Sequence, residues 1–311
     1  MTIQVLLVDD SAVIRKLLSS ALQRNPDIRV IALAPDGQEA IEVAKRTQPD
    51  IIVLDIEMPV MESDYIPKPE IDNLEEFYRE LTEKVLALAP SLAKKSVAPA
   101  SDATAFTKKT IPAIQPATSQ PVQAVAIAAS TGGPQALMKL FADLGGALSH
   151  LPVFVTQHMP ATFTPIFAEH LAQVSKMHCL EGKEGEIVRP GHVYIAPGDY
   201  HMVVGRVGSQ VVIRTNQDAP VNFCRPAADP MFASLSNAYG PNLLALVLTG
   251  MGQDGAAGAE QVAKNGGSVI AQDASSCVVY GMPRATADRG ICQEILPLDA
   301  IAAYLARRCR G

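Results

Sequence analysis

Three residues that could together carry out acyl transfer stand far apart in the sequence: Ser130, His158 and Asp254. A hydroxyl, an imidazole and a carboxylate are the parts of a Ser-His-Asp triad. In such a triad the imidazole accepts the proton of the attacking hydroxyl, and the carboxylate orients the imidazole. Each residue alone also has an ordinary structural explanation, because serine caps helices and aspartate is common in turns. Their positions relative to the predicted strands decide between these interpretations.

Each of the three residues stands at or soon after the end of an apolar run of strand length, and a helical pattern follows each run. The three runs are 124–129, 152–157 and 243–249. Such runs are typical of strands buried on both faces of a parallel sheet, and their alternation with helices predicts a doubly wound α/β fold. Two further segments, 194–195 and 211–213, are predicted to form a hairpin inserted into the sheet order. Because the carboxyl ends of parallel strands meet at one sheet edge, we expect the three side chains to lie together there.

The turn after Ser130 suits a negatively charged group. Gly132 and Gly133 follow, and Pro134 fits the first turn of a helix, where a missing N–H costs nothing. Backbone amides point outward at the start of a helix and the helix dipole favours negative charge, so the turn fits either an oxyanion or a phosphate. A nucleotide-binding domain therefore stays open as an alternative, although the segment lacks the usual G-x-G-x-x-G spacing.

The composition is that of an ordinary globular protein of about two domains, with 311 residues and a formal net charge of −6. This charge gives no sign of a nucleic-acid surface, and no apolar run approaches the roughly 18 residues of a transmembrane helix. The five cysteines include no C-x-x-C pair, and the first residues lack the pattern of a secretory signal peptide. We therefore expect a cytoplasmic protein with reduced thiols, no nucleic-acid partner and no direct membrane insertion.

The first 89 residues begin as a second α/β domain and hold most of the negative charge, with 17 acidic and 9 basic residues. Buried strands predicted at 5–8 and 51–54 end in Asp9, Asp10 and Asp55. Carboxylate oxygens crowded at one edge of a parallel sheet are ligands that suit Mg²⁺.

From about residue 123 to the C-terminus the chain resembles the catalytic domain of the bacterial chemotaxis protein-glutamate methylesterases. The resemblance rests on Ala-Ser-Thr-Gly-Gly at 129–133, Gln-His-Met-Pro at 157–160, Arg-Pro-Gly-His-Val-Tyr-Ile-Ala-Pro-Gly at 189–198, Leu-Thr-Gly-Met-Gly-Gln-Asp-Gly at 248–255 and Tyr-Gly-Met-Pro-Arg at 280–284. It implies that Ser130 is the nucleophile, that His158 is the base and that Asp254 orients the imidazole.

The resemblance also implies the reaction. The expected activity is hydrolysis of glutamate methyl esters on methylated chemoreceptors with release of methanol, by a serine hydrolase that needs no cofactor. Deamidation of glutamines at the same sites is a second candidate activity. Backbone amides of Thr131 and Met251 are expected to hold the oxyanion, usually the largest single contribution in acyl transfer. Asp229 matches a family segment near the active site, whereas Cys224 stands where a polar residue is expected.

Residues 1–89 resemble a response-regulator receiver domain, which has a flavodoxin-like fold. The matching segments are Val-Asp-Asp-Ser at 8–11, Leu-Asp-Ile-Glu-Met-Pro at 54–59 and Ile-Pro-Lys-Pro at 66–69. The resemblance implies that Asp55 is phosphorylated by the histidine kinase of the chemotaxis pathway. It also implies that Asp10 and Asp55 hold Mg²⁺ and that Lys68 contacts the phosphoryl group.

The receiver is expected to be truncated. A receiver needs a helix, a strand and a second helix between Asp55 and the strand of Lys68, roughly 43 residues with their loops. Only 12 residues are present, and the break falls after Met61. A non-catalytic or unregulated signalling adaptor with a degenerate receiver therefore stays open as an alternative function. We expect a truncated receiver-like domain at 1–89, a flexible linker rich in alanine and proline at 90–120, and the catalytic domain at 121–311.

Overall fold

The computed structural model describes the chain at residues 2–9, 12–54, 81–82, 85 and 120–310. The chain separates into two compact units, Met1–Phe106 and Thr107–Gly311. The predicted linker at 90–120 lies outside the described residues except at Gln120. Within the described ranges, no helix combines the length and the apolar character needed to cross a membrane.

The first unit contains β1 (Ile3–Val8), α1 (Ala12–Leu22), β2 (Ile28–Ala34), α2 (Gly37–Thr47) and β3 (Ile51–Leu54). Its three described strands form a parallel sheet in the order β2-β1-β3. Val5 and Leu7 of β1 share a buried cluster with Leu18 of α1. Leu6 shares a cluster with Val43 of α2. Helices therefore cover both faces of β1, which explains why this strand is apolar throughout.

The second unit contains nine described strands: β4 (Ala124–Ala129), β5 (Val153–Gln157), β6 (His178–Glu181), β7 (His192–Ile195), β8 (His201–Val207), β9 (Gln210–Asn216), β10 (Leu243–Val247), β11 (Ser268–Gln272) and β12 (Glu294–Leu296). Its described helices are α3 (Gly133–Leu144), α4 (Thr164–Ser175), α5 (Ala228–Tyr239), α6 (Ala256–Lys264), α7 (Met282–Ala287) and α8 (Leu298–Arg308). Seven of the strands form one sheet in the order β12-β11-β10-β4-β5-β7-β6. All of its strand pairs are parallel.

Helices cover both faces of this sheet, as the predicted doubly wound fold requires. On one face, α3, α4 and α8 contribute Leu140, Leu171 and Leu305 to the core. On the other face, α5 and α6 contribute Phe232 and Val262. All six residues of β4 are 0% exposed. A strand enclosed in this way has a fixed end, and the residue that follows it is held in a defined place.

The prediction that residues 194–195 and 211–213 form a hairpin is wrong. Tyr194 and Ile195 belong to β7, which pairs in parallel with β5 and β6 inside the main sheet. β9 pairs instead with β8, in a separate two-stranded antiparallel sheet. A short apolar run predicts a strand but not its partner, because the partner is set by packing elsewhere in the fold.

Candidate active site

Ser130, His158 and the loop of Asp254 come to one edge of the sheet, at the carboxyl ends of β4, β5 and β10. Ala129 pairs with Gln157, so Ser130 and His158 are the next residues on neighbouring strands. The amide of His158 donates to the carbonyl of Ala129 at 3.1 Å, and the amide of Ser130 donates to a carbonyl just beyond β10 at 3.0 Å. The backbone ladder itself therefore sets Ser130 between the other two strand ends.

The turn that follows Ser130 requires two glycines. Gly132 has a φ of 75°, in the left-handed region, and a β-carbon there would lie 2.6 Å from the side chain of Val278. A β-carbon at Gly133 would collide with Gln157 Oε1. The amide of Gly133 donates to the carbonyl of Ser130 at 2.7 Å and closes the turn. A side chain at either glycine would displace the segment that carries Ser130.

Asp254 holds the imidazole of His158, with Nε2 2.7 Å from Oδ2. Asp254 is 1% exposed, and its carboxylate accepts the amides of Ala228 at 2.5 Å and of Asp229 at 3.1 Å, at the start of α5. Burial raises the pKa of Asp254. The hydrogen bond and charge of His158 and the two amides outweigh that effect, so the pKa lies below its usual value. Asp254 is therefore an anion in a fixed position.

The other ring nitrogen of His158 faces Cys224, with Nδ1 and Sγ 3.3 Å apart. Burial lowers the pKa of His158, but the charge of Cys224 and the hydrogen bonds to Asp254 and Cys224 raise it above its ordinary value. Because both nitrogens are occupied, the imidazole makes no hydrogen bond to the Ser130 hydroxyl in this arrangement of the described residues. The sequence did not predict the contact between the thiol and the imidazole.

Two further side chains lie beside Asp254. Asn222 Nδ2 lies 3.0 Å from Asp229 Oδ2 and 3.3 Å from Asp254 Oδ1, so one amide bridges two carboxylates. Burial raises the pKa of Asp229, and the charge of Asp254 raises it further. A 2.7 Å hydrogen bond from the amide of Gly258 acts in the opposite direction but does not cancel the increase. The family-like segment at 225–229 was the sequence signal for Asp229. No motif or spacing in the sequence singled out Asn222.

The backbone at the two expected oxyanion groups is held close to Ser130. The hydroxyl of Thr249 donates to the carbonyl of Thr131 at 2.9 Å. A β-carbon at Gly250 would lie 2.8 Å from that of Ser130, so Met251 directly follows backbone that packs on Ser130. Within the described part of the chain, neither the Thr131 amide nor the Met251 amide donates to a protein acceptor. This is compatible with the expected role of both amides toward an oxyanion.

Of the three aspartates predicted to crowd the sheet edge of the first unit, the structure describes only Asp9, which follows β1 and is 3% exposed. Asp10, Asp55 and Lys68 lie outside the described residues. In the ranges that the structure describes, no group of three or more histidine, cysteine or acidic residues is arranged to hold a metal ion. The Mg²⁺ site at Asp10 and Asp55 stays a prediction from the sequence.

Known proteins match both parts of the chain. The CheB methylesterase family matches residues 125–305, and the response regulator receiver domain matches residues 5–69. The protein-glutamate methylesterase/protein-glutamine glutaminase 1 of Rhodospirillum rubrum is 41% identical over 98% of this chain and 95% of its own length. The protein-glutamate methylesterase/protein-glutamine glutaminase of Azospirillum brasilense is 42% identical over 98% of this chain and 92% of its own length.

A solved structure matches the second unit. The crystal structure of the Thermotoga maritima CheB methylesterase catalytic domain is 36% identical, has a TM-score of 0.58 and covers 60% of this chain and 99% of its own. The alignment with the Rhodospirillum rubrum protein runs over 366 positions, whereas this chain has 311 residues, so that relative contains residues that this chain lacks. The identity nevertheless extends across nearly the whole of both proteins. The chain belongs to the CheB methylesterase family.

Proposed function

We propose that the protein hydrolyses glutamate methyl esters on methylated chemoreceptors, with release of methanol, and deamidates glutamines at the same sites. Membership of the CheB methylesterase family supports the reaction, and the relatives from Rhodospirillum rubrum and Azospirillum brasilense carry both activities in their names. The observation that carries the proposal is the 2.7 Å hydrogen bond between His158 and Asp254, at the sheet edge where β4 leads into Ser130.

In this proposal Ser130 is the nucleophile and His158 is the base. Since Asp254 holds Nε2, Nδ1 is the nitrogen left to take the proton of the Ser130 hydroxyl. Nδ1 is 3.3 Å from Cys224 Sγ in the resting arrangement. The imidazole must therefore exchange the thiol for the Ser130 hydroxyl before the chemical step.

The reaction then proceeds in two stages. The Ser130 oxygen attacks the ester carbonyl while its proton passes to His158. The bond to the methoxy group breaks, His158 returns the proton, and methanol leaves an acyl-enzyme behind. Water, deprotonated by His158, attacks the acyl carbon. The bond to Ser130 breaks as His158 returns the proton to the Ser130 oxygen, and the glutamic acid released ionises to the carboxylate. With glutamine as substrate, ammonia leaves in the first stage and the second stage is unchanged.

The amides of Thr131 and Met251 are proposed to stabilise the negative oxygen of both tetrahedral intermediates. The turn after Ser130 opens α3, so the helix dipole adds to the stabilisation of a negative charge at this point. Donors that are already oriented need no reorganisation during the reaction, and loss of one such donor typically costs about 10²- to 10³-fold in kcat.

Residues 1–89 are proposed to act as a receiver that regulates the esterase. The chemotaxis histidine kinase would phosphorylate Asp55, with Mg²⁺ held by Asp10 and Asp55 and the phosphoryl group contacted by Lys68. The receiver family match over residues 5–69 supports this assignment, since it includes all three residues. The proposed layout is a receiver at 1–89, a linker at 90–120 and an esterase at 121–311, in a protein of the cytoplasm.

A fluorophosphonate probe, used together with an assay of methanol release from methylated receptors, tests the proposal against a nucleotide-binding domain and a non-catalytic adaptor. We expect the probe to attach to Ser130, and Ser130→Ala to abolish both labelling and methanol release. Ser149→Ala, at an exposed position, is the matched control and should retain both. A wild-type protein that neither takes the label nor releases methanol would contradict the proposed function.

A further inference from the structure

Cys224 forms no bond to the substrate in the proposed ester hydrolysis, yet its sulfur is 3.3 Å from His158 Nδ1. The opposite nitrogen of the ring is bound to Asp254 at 2.7 Å, so a thiol, an imidazole and a carboxylate form one continuous chain. An imidazole that accepts the thiol proton leaves a thiolate, the nucleophilic form of cysteine. We propose that Cys224 is a reactive thiol and that hydroperoxides inactivate the esterase by oxidising it. The effect on activity rests on the proposed function, whereas the thiol reactivity does not.

The local backbone holds this thiol at the rim of the site. Val221 and Cys224 exchange two backbone hydrogen bonds, of 3.1 and 3.0 Å. Asn222 and Phe223 form the two-residue turn between them, with φ values of 51° and 63°. Two positive φ values in a two-residue turn are typical of type I′. Phe223 is 76% exposed and Cys224 is half-buried, so a small oxidant can reach the sulfur.

The other four cysteines have different surroundings. Burial raises the pKa of the Cys277 and Cys292 thiols to about 12 and that of Cys309 to about 11. Burial also raises the pKa of Cys179. All five cysteines lie in the described part of the chain, and there only the thiol of Cys224 has an imidazole nitrogen at hydrogen-bond distance. A thiol that stays protonated is a poor nucleophile, which makes these four cysteines internal references for reactivity.

The oxidation balances with the groups at the site and a hydroperoxide. The Cys224 thiolate attacks one oxygen of hydrogen peroxide, so that an S–O bond forms and the O–O bond breaks. The hydroxide that leaves takes the proton from His158 Nδ1 and becomes water. Sulfur loses two electrons, the peroxide gains them, and a sulfenic acid remains. The added oxygen lies beside Nδ1. It keeps the imidazole from changing its hydrogen-bond partner from the Cys224 sulfur to the Ser130 hydroxyl.

Alkylation with iodoacetamide tests the thiol on the full chain without an activity assay. Peptide mass spectrometry is expected to show that Cys224 reacts at least about tenfold faster than Cys277, in the wild type and in Ser130→Ala alike. Removal of the imidazole in His158→Gln should lower the rate at Cys224 toward that at Cys277. Alkylation of Cys224 in the wild type no faster than Cys277 would overturn the proposal.

Inactivation by peroxide tests the consequence for the esterase. We expect hydrogen peroxide to cause a progressive loss of methanol release, a dimedone adduct on Cys224, and recovery with dithiothreitol. Cys224→Ser should keep its own starting activity in peroxide, whereas Cys277→Ser should be inactivated as the wild type is. Inactivation of Cys224→Ser at the wild-type rate would overturn the proposal. A wild type that releases no methanol even before oxidation would contradict the proposed esterase, and the alkylation rates would still decide the reactivity of Cys224.

Discussion

His158 Nε2 lies 2.7 Å from Asp254 Oδ2, and the same carboxylate accepts the two amides that begin α5. The start of a helix stabilises negative charge, so α5 supports the ionised form of Asp254 independently of the histidine. The imidazole takes its orientation from a carboxylate that the fold has already fixed. Loss of the carboxylate charge is therefore expected to affect catalysis more than folding.

Asp254→Asn tests this relationship. An amide in place of the carboxylate leaves the shape of the site intact but favours the wrong imidazole tautomer, which costs about 10⁴-fold in kcat in a serine protease triad. We expect a comparable loss of methanol release, with the variant still folded. Asp288→Asn, at an exposed position, is the matched control. A fully active Asp254→Asn would show that Asp254 is only a turn residue.

Acid should weaken the contribution of Asp254 to stability. The pKa of Asp254 is lowered in the folded protein. The ionised carboxylate therefore stabilises the fold fully at any pH above 3.8, the ordinary pKa of the group. This contribution is lost as the pH falls through the lowered folded value. Thermal unfolding measured from pH 7 to pH 3 is expected to show a gap in Tm between the wild type and Asp254→Asn that narrows once the pH falls below 3.8. A gap in Tm that stays constant over this range would contradict the interpretation.

Ser130→Ala should abolish ester hydrolysis without unfolding the protein. Ser130 is 8% exposed and its backbone amide, rather than its hydroxyl, is tied to the sheet. Removal of the nucleophile of a triad typically costs about 10⁶-fold in kcat, and the oxyanion groups supply the residual rate. Methanol release and circular dichroism measure the two expectations. A rate within about tenfold of the wild type would exclude Ser130 as the nucleophile.

The sequence predicted the position of the site better than its contacts. Ser130, His158 and Asp254 could be placed at one edge because buried parallel strands have a strong apolar signal and a known direction. Cys224 could not be assigned a partner, because it lies after a type I′ turn at Asn222-Phe223 that lacks the usual Asn-Gly signature. The partner of β7 was mispredicted for a related reason, since a four-residue run carries no information on register.

The raised pKa of His158 predicts an alkaline pH profile. As the proposed base His158 must be neutral, so kcat/KM is expected to rise with pH through a midpoint above 6.5. Burial lowers the pKa of His158. The charge of Cys224 is the largest of the causes that raise this pKa, and the hydrogen bond to Asp254 comes next. Cys224→Ser should therefore move the midpoint to lower pH. An unchanged midpoint would show that Cys224 does not set the pKa of the base.

Asn222→Gly should weaken catalysis by loosening Asp254. Glycine accepts the positive φ at this position, so the variant removes the amide bridge without straining the turn. The two carboxylates keep their backbone donors but lose the amide that bridges them, which we expect to cost about 1–3 kcal/mol of unfolding free energy. A displaced imidazole should lower kcat by up to about 10²-fold.

The control for Asn222→Gly is Gln253→Ala, because among the described residues the exposed Gln253 side-chain amide donates one hydrogen bond, to Asn222 Oδ1 at 3.5 Å. Thermal denaturation and methanol release give the two readouts. A wild-type kcat in Asn222→Gly would show that the backbone amides of α5 alone suffice to hold Asp254.

The short connection between Asp55 and Lys68 predicts weak regulation. Only 12 residues lie between them, where a complete receiver needs roughly 43. The longer alignment with the Rhodospirillum rubrum relative agrees with a missing segment. A switch must distinguish phospho-aspartate from aspartate through the packing of the sheet. A receiver without one strand and two helices is expected to do so poorly, which leaves the esterase active before phosphorylation.

Methanol release from the full chain, with and without acetyl phosphate and Mg²⁺, measures this regulation. We expect high basal activity and a stimulation below roughly fivefold, which is the lower end of the typical range for coupled sites. Asp55→Ala should have the same basal activity as the wild type. A chimaera in which residues 1–89 are replaced by the aligned part of the Rhodospirillum rubrum relative is the positive control, and it should gain a larger response. Strong stimulation of the unaltered chain that disappears in Asp55→Ala would show that the truncated receiver still switches. The stimulation would then depend on phosphorylation of Asp55, because the two proteins differ only at that residue.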